Sequence, residues 1–151
     1  MRANPPPDDG AAKRAMLLTA LYVAQEQHGS LTPEAIERVA ARLSLRVKDV
    51  YETATFYSMF HTEPVGRYLL QVCEGLSCHL AHGADRLAEH LRERLGIGEG
   101  ETTPDGMFTL QTVQCLAACD RSPAMRVNDT LYEHLTPERV DALLVDLRRG
   151  G

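Results

Sequence analysis

Every cysteine in the chain falls in one of two tight pairs, Cys73 and Cys78 in VCEGLSC and Cys115 and Cys119 in QCLAAC. The spacings are C-x4-C and C-x3-C, with 36 residues between the pairs. Four soft thiolates gathered in this way make a metal site. Zinc knuckles typically use C-x2-C, which closes a tight turn around one tetrahedral ion. The wider bites here suit a [2Fe–2S] rhomb, with Cys73 and Cys78 on one iron and Cys115 and Cys119 on the other.

Two other chemistries fit the same residues. Four thiolates satisfy structural zinc as well as iron. Four cysteines also allow two disulfides, in three connectivities. Bridges persist mainly in oxidising compartments, and no apolar stretch of export type follows Met1-Arg2-Ala3-Asn4-Pro5-Pro6-Pro7. Spacing therefore favours the cluster first, zinc second and disulfides last.

The elements that must position these thiols divide the chain in two. Residues 1–10 are proline-rich and polar and read as a disordered arm. Residues 11–65 show helical spacing. Leu17, Leu18, Leu21 and Tyr22 mark one stripe stopped by Gly29. Thr32-Pro33-Glu34 is a helix start, followed by Ile36, Val39, Ala40 and Leu43 at i, i+3, i+4 and i+7. The spacing returns in Val47, Val50, Tyr51 and Ala54, so three or four short helices form a bundle that ends near TFYSMF.

From residue 66 to 151 the pattern changes. Tyr68 to Cys73 is an apolar β-type run that ends on the first cysteine. A helix follows with Ala84, Leu87, Ala88, Leu91 and Leu95 on one face and Gly96 as its stop. Met107 to Val113 reads as a strand running into Cys115. Ala124 to Val127, the Asn128-Asp129 turn and Thr130 to Tyr132 read as a hairpin. Thr136-Pro137-Glu138 repeats the earlier cap before Val140, Leu143, Leu144 and Leu147. An order of β-α-β-β-α gives a thioredoxin-like α/β half, with both cysteine pairs in loops at strand ends.

Composition sets the surroundings. With 44% hydrophobic residues the chain affords a packed core. No run reaches the roughly 18 apolar residues of a membrane span, so a soluble, cytoplasmic protein is expected. The net charge of −5 argues against a large phosphate-binding surface. Split after residue 66, the front carries 7 basic and 8 acidic residues and the back 9 and 13, so the acidity sits with the cysteines.

VCEGLSC, ETTPDGMFTLQTVQCLAAC, SPAMRVND and HLTPERVDALL resemble the thioredoxin-like [2Fe–2S] subunit (the 24-kDa type) of the NADH-dehydrogenase module of respiratory complex I. The helical front with TATFYSMFHTEPVGRY resembles the same family, so the likeness runs from about Leu17 to the end. It implies a thioredoxin-like [2Fe–2S] ferredoxin domain preceded by a small helical bundle. It also implies a cluster on the positions matching Cys73, Cys78, Cys115 and Cys119. The implied role is electron transfer within an NADH:quinone oxidoreductase. The implied partners are a flavoprotein that binds FMN and NAD and the other iron–sulfur subunits, in a complex peripheral to the inner membrane. Related subunits serve NAD-dependent formate dehydrogenases and NAD-linked hydrogenases. One position departs from the pattern: the family usually reads C-L-G-x-C at the second pair, and Ala117 stands where that glycine belongs. A methyl there is expected to tighten the loop or alter an N–H···S contact. With Gly151 following soon after the last helix, the C-terminal extension that some relatives carry is not expected here.

The remaining residues read more plainly. His79 follows Cys78, yet a Rieske scheme needs two histidines in place of two cysteines. His79, His82 and His134 therefore read as solvated neighbours. Gly75 lets the first cysteine loop turn. Glu74 and Asp120 flank ligands on exposed loops. AIERVAARLSLRVKDVYETA has the cadence of a helix-turn-helix, which would suit a redox-sensing regulator. However, its second helix offers only Arg46 and Lys48 against Asp49 and Glu52, a poor balance for DNA. No Gly-rich phosphate loop and no C-x-x-C are present. The chain thus carries no catalytic residue or complete active site, and reads as an electron carrier inside a larger enzyme.

Overall fold

A computed structural model describes residues 10–80 and 83–150. The arm expected over 1–10 lies outside these residues except for Gly10, which opens the first helix. The chain divides into two compact units, Met1–Pro64 and Val65–Gly151.

The first unit holds α1 (Gly10–Ala15), α2 (Leu17–His28), α3 (Pro33–Leu43) and α4 (Val47–Phe56). Helix α2 stops where Gly29 turns left-handed at φ +77°, a conformation that costs glycine nothing. Helix α3 starts where the Thr32 hydroxyl accepts the Ala35 N–H at 3.3 Å, with Pro33 in the first turn. Such a cap stabilises a helix by about 1 kcal/mol. Leu21, Leu31, Ile36, Val50 and Ala54 are buried together, each aliphatic side chain of leucine size contributing roughly 1.5–3 kcal/mol. Gln25 fastens the chain beyond α4: its side chain donates to the Met59 carbonyl at 2.9 Å and accepts the His61 N–H at 2.7 Å. The expected stripes are narrower than their spacing implied. Leu17 and Leu21 are buried while Leu18 and Tyr22 are exposed, and Val50 and Ala54 are buried while Val47 and Tyr51 are exposed.

The second unit is a four-stranded mixed sheet in the order β2-β1-β3-β4. Its strands are β1 (Tyr68–Cys73), β2 (Phe108–Val113), β3 (Met125–Val127) and β4 (Thr130–Tyr132). Strands β1 and β2 are parallel, and β1–β3 and β3–β4 are antiparallel. A short helix, α5 (Leu76–Leu80), follows β1. A parallel pair needs a crossover, which α6 (Ala84–Leu95) supplies. Helix α7 (Pro137–Arg149) is capped by Thr136, whose hydroxyl accepts the Arg139 N–H at 3.4 Å. Leu87 and Leu91 of α6 and Val140 and Leu144 of α7 pack with Leu70, Val72, Phe108, Leu110 and Met125 in one core.

Among the described residues the four strands fall where the sequence patterns place them, the hairpin contributing two, although the order β-α-β-β-α counts that hairpin as one. One difference from the expected order bears on the site. Helix α5 stands where the sequence pattern shows only a loop, since five residues are too few to display a hydrophobic period. Strand β2 is buried on both faces over Phe108, Thr109 and Leu110. This is the signature of a strand with a parallel neighbour, not of clean alternation.

Candidate metal centre

The sheet brings both cysteine pairs to one of its ends. Cys73 is the last residue of β1 and stands in register with Val113, the last of β2, so Cys115 follows two residues beyond its neighbour's end. Strand ends that run parallel and adjacent must deliver their following loops side by side. Those loops are then tied. The Glu74 N–H donates to the Val113 carbonyl at 2.9 Å, and the Gln114 side-chain amide donates to the Glu74 carboxylate. Gly75 lies so close that an added Cβ would stand 3.1 Å from the Gln114 carbonyl and 3.4 Å from the Cys73 Sγ. Its role is this close approach.

The second member of each pair sits in a turn of helix, not in a loop as its sequence suggested. Cys78 belongs to α5, and Cys119 opens a 3-10 turn, Cys119–Arg121. Cys73 and Cys78 are 4% and 2% exposed and pack with Ala84, Ala118 and Ala124, whereas Cys115 and Cys119 are exposed. The two pairs therefore differ in surroundings. The first is sealed in an apolar cluster, and the second faces outward.

Ala117 explains how the second loop turns. Its φ is +55°, in the left-handed region that disfavours any residue with a Cβ. From that conformation its N–H donates to the Cys115 Sγ at 3.3 Å. The Ala117 side chain is exposed, so its methyl does not crowd the loop. The departure from glycine costs torsional strain while the N–H···S contact is kept.

The donor set fits an iron–sulfur cluster. All four thiols are free, and the imidazole beside them is engaged elsewhere, His79 Nδ1 lying 3.1 Å from the Asp85 carboxylate. His82 lies outside the described residues, and the His134 backbone N–H donates to the Arg121 carbonyl at 3.0 Å. Among the described residues, no three His, Cys, Asp or Glu side chains converge in the manner a single ion requires. A structural zinc asks all four thiolates to meet at one point, while a two-iron rhomb asks each iron for one pair. Here one pair follows from the end of β1 and the other from the end of β2, two adjacent parallel strands.

Two residues of the neighbourhood carry no signal in the cysteine pattern. Gln71 sits 1% exposed in the middle of β1, and Arg126 stands opposite it on β3. A glutamine inside the apolar run YLLQVC was the available hint.

The family described as thioredoxin-like [2Fe–2S] ferredoxin matches residues 7–148. The chain is 48% identical over 136 residues to an E-type component of the NADH-quinone oxidoreductase of Rhizobium meliloti (strain 1021), covering 90% of this chain and 80% of that one. It is 44% identical over 149 residues to NADH-quinone oxidoreductase subunit 2 of Thermus thermophilus, covering 98% and 80%. Among solved structures it resembles a chain of an NAD+-reducing [NiFe]-hydrogenase in the air-oxidised state. That likeness has a TM-score of 0.74 at 26% identity, over 87% of this chain and 23% of the other.

Proposed function

The chain belongs to the thioredoxin-like [2Fe–2S] ferredoxin family, and from that premise we propose that it is the electron-transfer subunit of an NADH-quinone oxidoreductase. The observation that carries this is a likeness of 48% identity along nine-tenths of the chain, joined to four free cysteines at one sheet end. Cys73, Cys78, Cys115 and Cys119 are the ligands. When bound, a [2Fe–2S] cluster supplies a one-electron couple suited to a flavin that oxidises NADH by hydride transfer.

The chain's own residues perform three tasks. The apolar packing around Cys73 and Cys78 excludes water from one side of the site. The exposed Cys115 and Cys119 leave the other side open toward a partner. The Ala117 N–H stabilises negative charge on the Cys115 sulfur, the kind of contact that raises a cluster's potential. FMN and NAD belong to a flavoprotein partner, which docks with this subunit beside further iron–sulfur subunits. The helices of residues 11–65 are the docking element and residues 66–151 the cluster domain. No helix among the described residues is long and apolar enough to cross a membrane. Within such an assembly the subunit lies in the cytoplasm, peripheral to the inner membrane.

The likeness to an NAD+-reducing hydrogenase favours a second host, in which an equivalent subunit serves another electron donor or acceptor. Anaerobic purification with iron and acid-labile sulfide analysis tests the cluster. Two irons and two sulfides per chain are expected, and stoichiometric zinc without sulfide overturns the assignment. Co-purification then identifies the host, a quinone-linked NADH dehydrogenase being expected.

A further inference from the structure

One rung of the sheet beside the site is polar. Gln111 on β2, Gln71 on β1 and Arg126 on β3 stand directly opposite one another. The Arg126 guanidinium donates to the Gln71 Oε1 from both Nε and Nη2, at 2.9 and 2.5 Å. The Gln71 amide in turn donates to the Gln111 Oε1 at 3.3 Å. The rung is continuous, and it fixes the position of a cation.

That cation is half-buried and, among the described residues, has no acidic partner. Arg126 forms no ion pair with any Asp or Glu among the described residues, although acids outnumber bases in this half of the chain. Its fork is spent on the neutral oxygen of a buried glutamine. Partly desolvated charge is costly to leave unpaired, so a neutral acceptor is a poor explanation for its place.

The register says what anion is near. Side chains two apart along a strand share a face, so Gln71 and Cys73 lie on the same side of β1. The core residues Leu70 and Val72 occupy the other side. The Cys73 N–H donates to the Ala124 carbonyl at 3.1 Å, and Arg126 lies two residues beyond Ala124. Arg126 is therefore the diagonal neighbour of a proposed ligand, about 7–8 Å away between backbones. A [2Fe–2S] unit with four thiolates is a dianion when oxidised and gains one more negative charge on reduction. Net charge in the surroundings is one of the levers that set its potential.

We infer that Arg126, held by Gln71, is the chain's own counter-charge to the cluster and raises its reduction potential. The inference rests on the proposal that Cys73, Cys78, Cys115 and Cys119 hold a [2Fe–2S] cluster. Because the cation attracts the reduced form more strongly than the oxidised form, it favours uptake of the electron. Gln71 is a positioning residue: it carries no charge, and it holds the guanidinium on the face that leads to Cys73.

The test is a redox titration, followed by electron paramagnetic resonance, of the full chain purified anaerobically with its cluster. Arg126→Gln should lower the equilibrium constant for reduction about tenfold, a fall of about 59 mV for a one-electron couple. Arg126→Lys keeps the charge and should change it less than twofold. Gln71→Met, which removes only the acceptor, should lower it about threefold. A merely structural arginine would move none of these potentials, or would move Arg126→Gln and Arg126→Lys alike, and either result overturns the inference. If Arg126→Gln fails to fold, the same titration of Gln71→Met decides, an unmoved potential overturning it. A wild-type chain that assembles no cluster overturns the parent proposal as well, so the two failures are distinguishable.

Discussion

The amide N–H of Ala117 points at the Cys115 Sγ across 3.3 Å, and it does so from a left-handed φ of +55°. A geometry that glycine would adopt freely is thus adopted by an alanine at a torsional cost. A left-handed L-residue costs roughly 1–2 kcal/mol, and glycine gives back up to about 1 kcal/mol of that through the entropy of its unfolded chain. Ala117→Gly is therefore expected to stabilise the protein by about 0.5–1 kcal/mol in a denaturant titration. Because the methyl is exposed and the N–H already faces sulfur, iron content and reduction potential should stay unchanged. A clear shift in potential would mean that the loop relaxes when the methyl is removed.

The four proposed ligand positions divide by burial, and their serine variants should divide with them. Cys73→Ser and Cys78→Ser place a hydroxyl in the apolar cluster of Ala84, Ala118 and Ala124, where an unmet hydroxyl costs about 1–3 kcal/mol. Both should lower the melting temperature even without iron. Cys115→Ser and Cys119→Ser change exposed side chains and should leave the metal-free melting temperature within error. All four should weaken or shift the visible spectrum of the cluster, and His79→Ala should leave it intact. Equal melting losses across the set would contradict the burial argument.

How much of this could be read from residues alone follows from the range of the forces involved. Thr32 and Thr136 announce their helices because a cap is a contact over three residues. Strand β1 is legible to its last residue because the apolar run YLLQVC ends on Cys73. Helix α5 is not, since five residues hold too little periodicity, and Cys78 consequently reads as a loop residue. The rung of Gln111, Gln71 and Arg126 is invisible for a different reason. It joins residues up to 55 apart through strand register, and the order β2-β1-β3-β4 cannot be inferred from any local pattern. The glycine rule at Ala117 is legible as a departure, yet its cost proves torsional and not steric, because side-chain exposure is a tertiary property.

Asp141 on α7 accepts hydrogen bonds from His90 Nε2 at 2.9 Å and Arg94 Nε at 2.8 Å, both on α6. Partial burial pushes its carboxyl up, but the hydrogen bonds from His90 and Arg94 and their charges outweigh this and hold it below its ordinary 3.8. A depressed carboxylate contributes stability above its unfolded value, and the contribution is lost as pH falls through the lower folded value. Asp141→Asn should therefore lower the melting temperature at neutral pH. The gap to the wild type should close below pH 3.8. A gap that stays constant down the acid limb would mean that the carboxylate's charge contributes nothing there.

The last expectation concerns the helical unit, which contains no cysteine yet occupies about two-fifths of the chain. Its surface is unusually apolar at one helix: on α4, Val47 and Tyr51 are about half exposed and Phe56 is 80% exposed. Phe56 also lines, with Leu18 and Tyr57, a groove that carries Arg14, Arg46, Asp49 and Glu52 on its walls. The basic residues here are already matched to acids, Arg14 and Arg46 to Asp49 and Lys48 to Glu52. The face therefore offers little free positive charge for DNA phosphates and more for an apolar protein surface. A large aromatic left bare on a helix end is the kind of anchor that dominates a protein interface once it is covered. If the helical unit docks the flavoprotein, Phe56→Asp should abolish co-purification with that subunit. Such an exposed change leaves the core of Leu21, Ile36 and Val50 untouched, so cluster content and melting temperature should hold. Retained binding in Phe56→Asp and in a Val47→Asp, Tyr51→Asp double variant would move the docking surface to the cluster half. Affinity for duplex DNA that falls steeply with salt would instead revive the helix-turn-helix of α3 and α4 as a regulator.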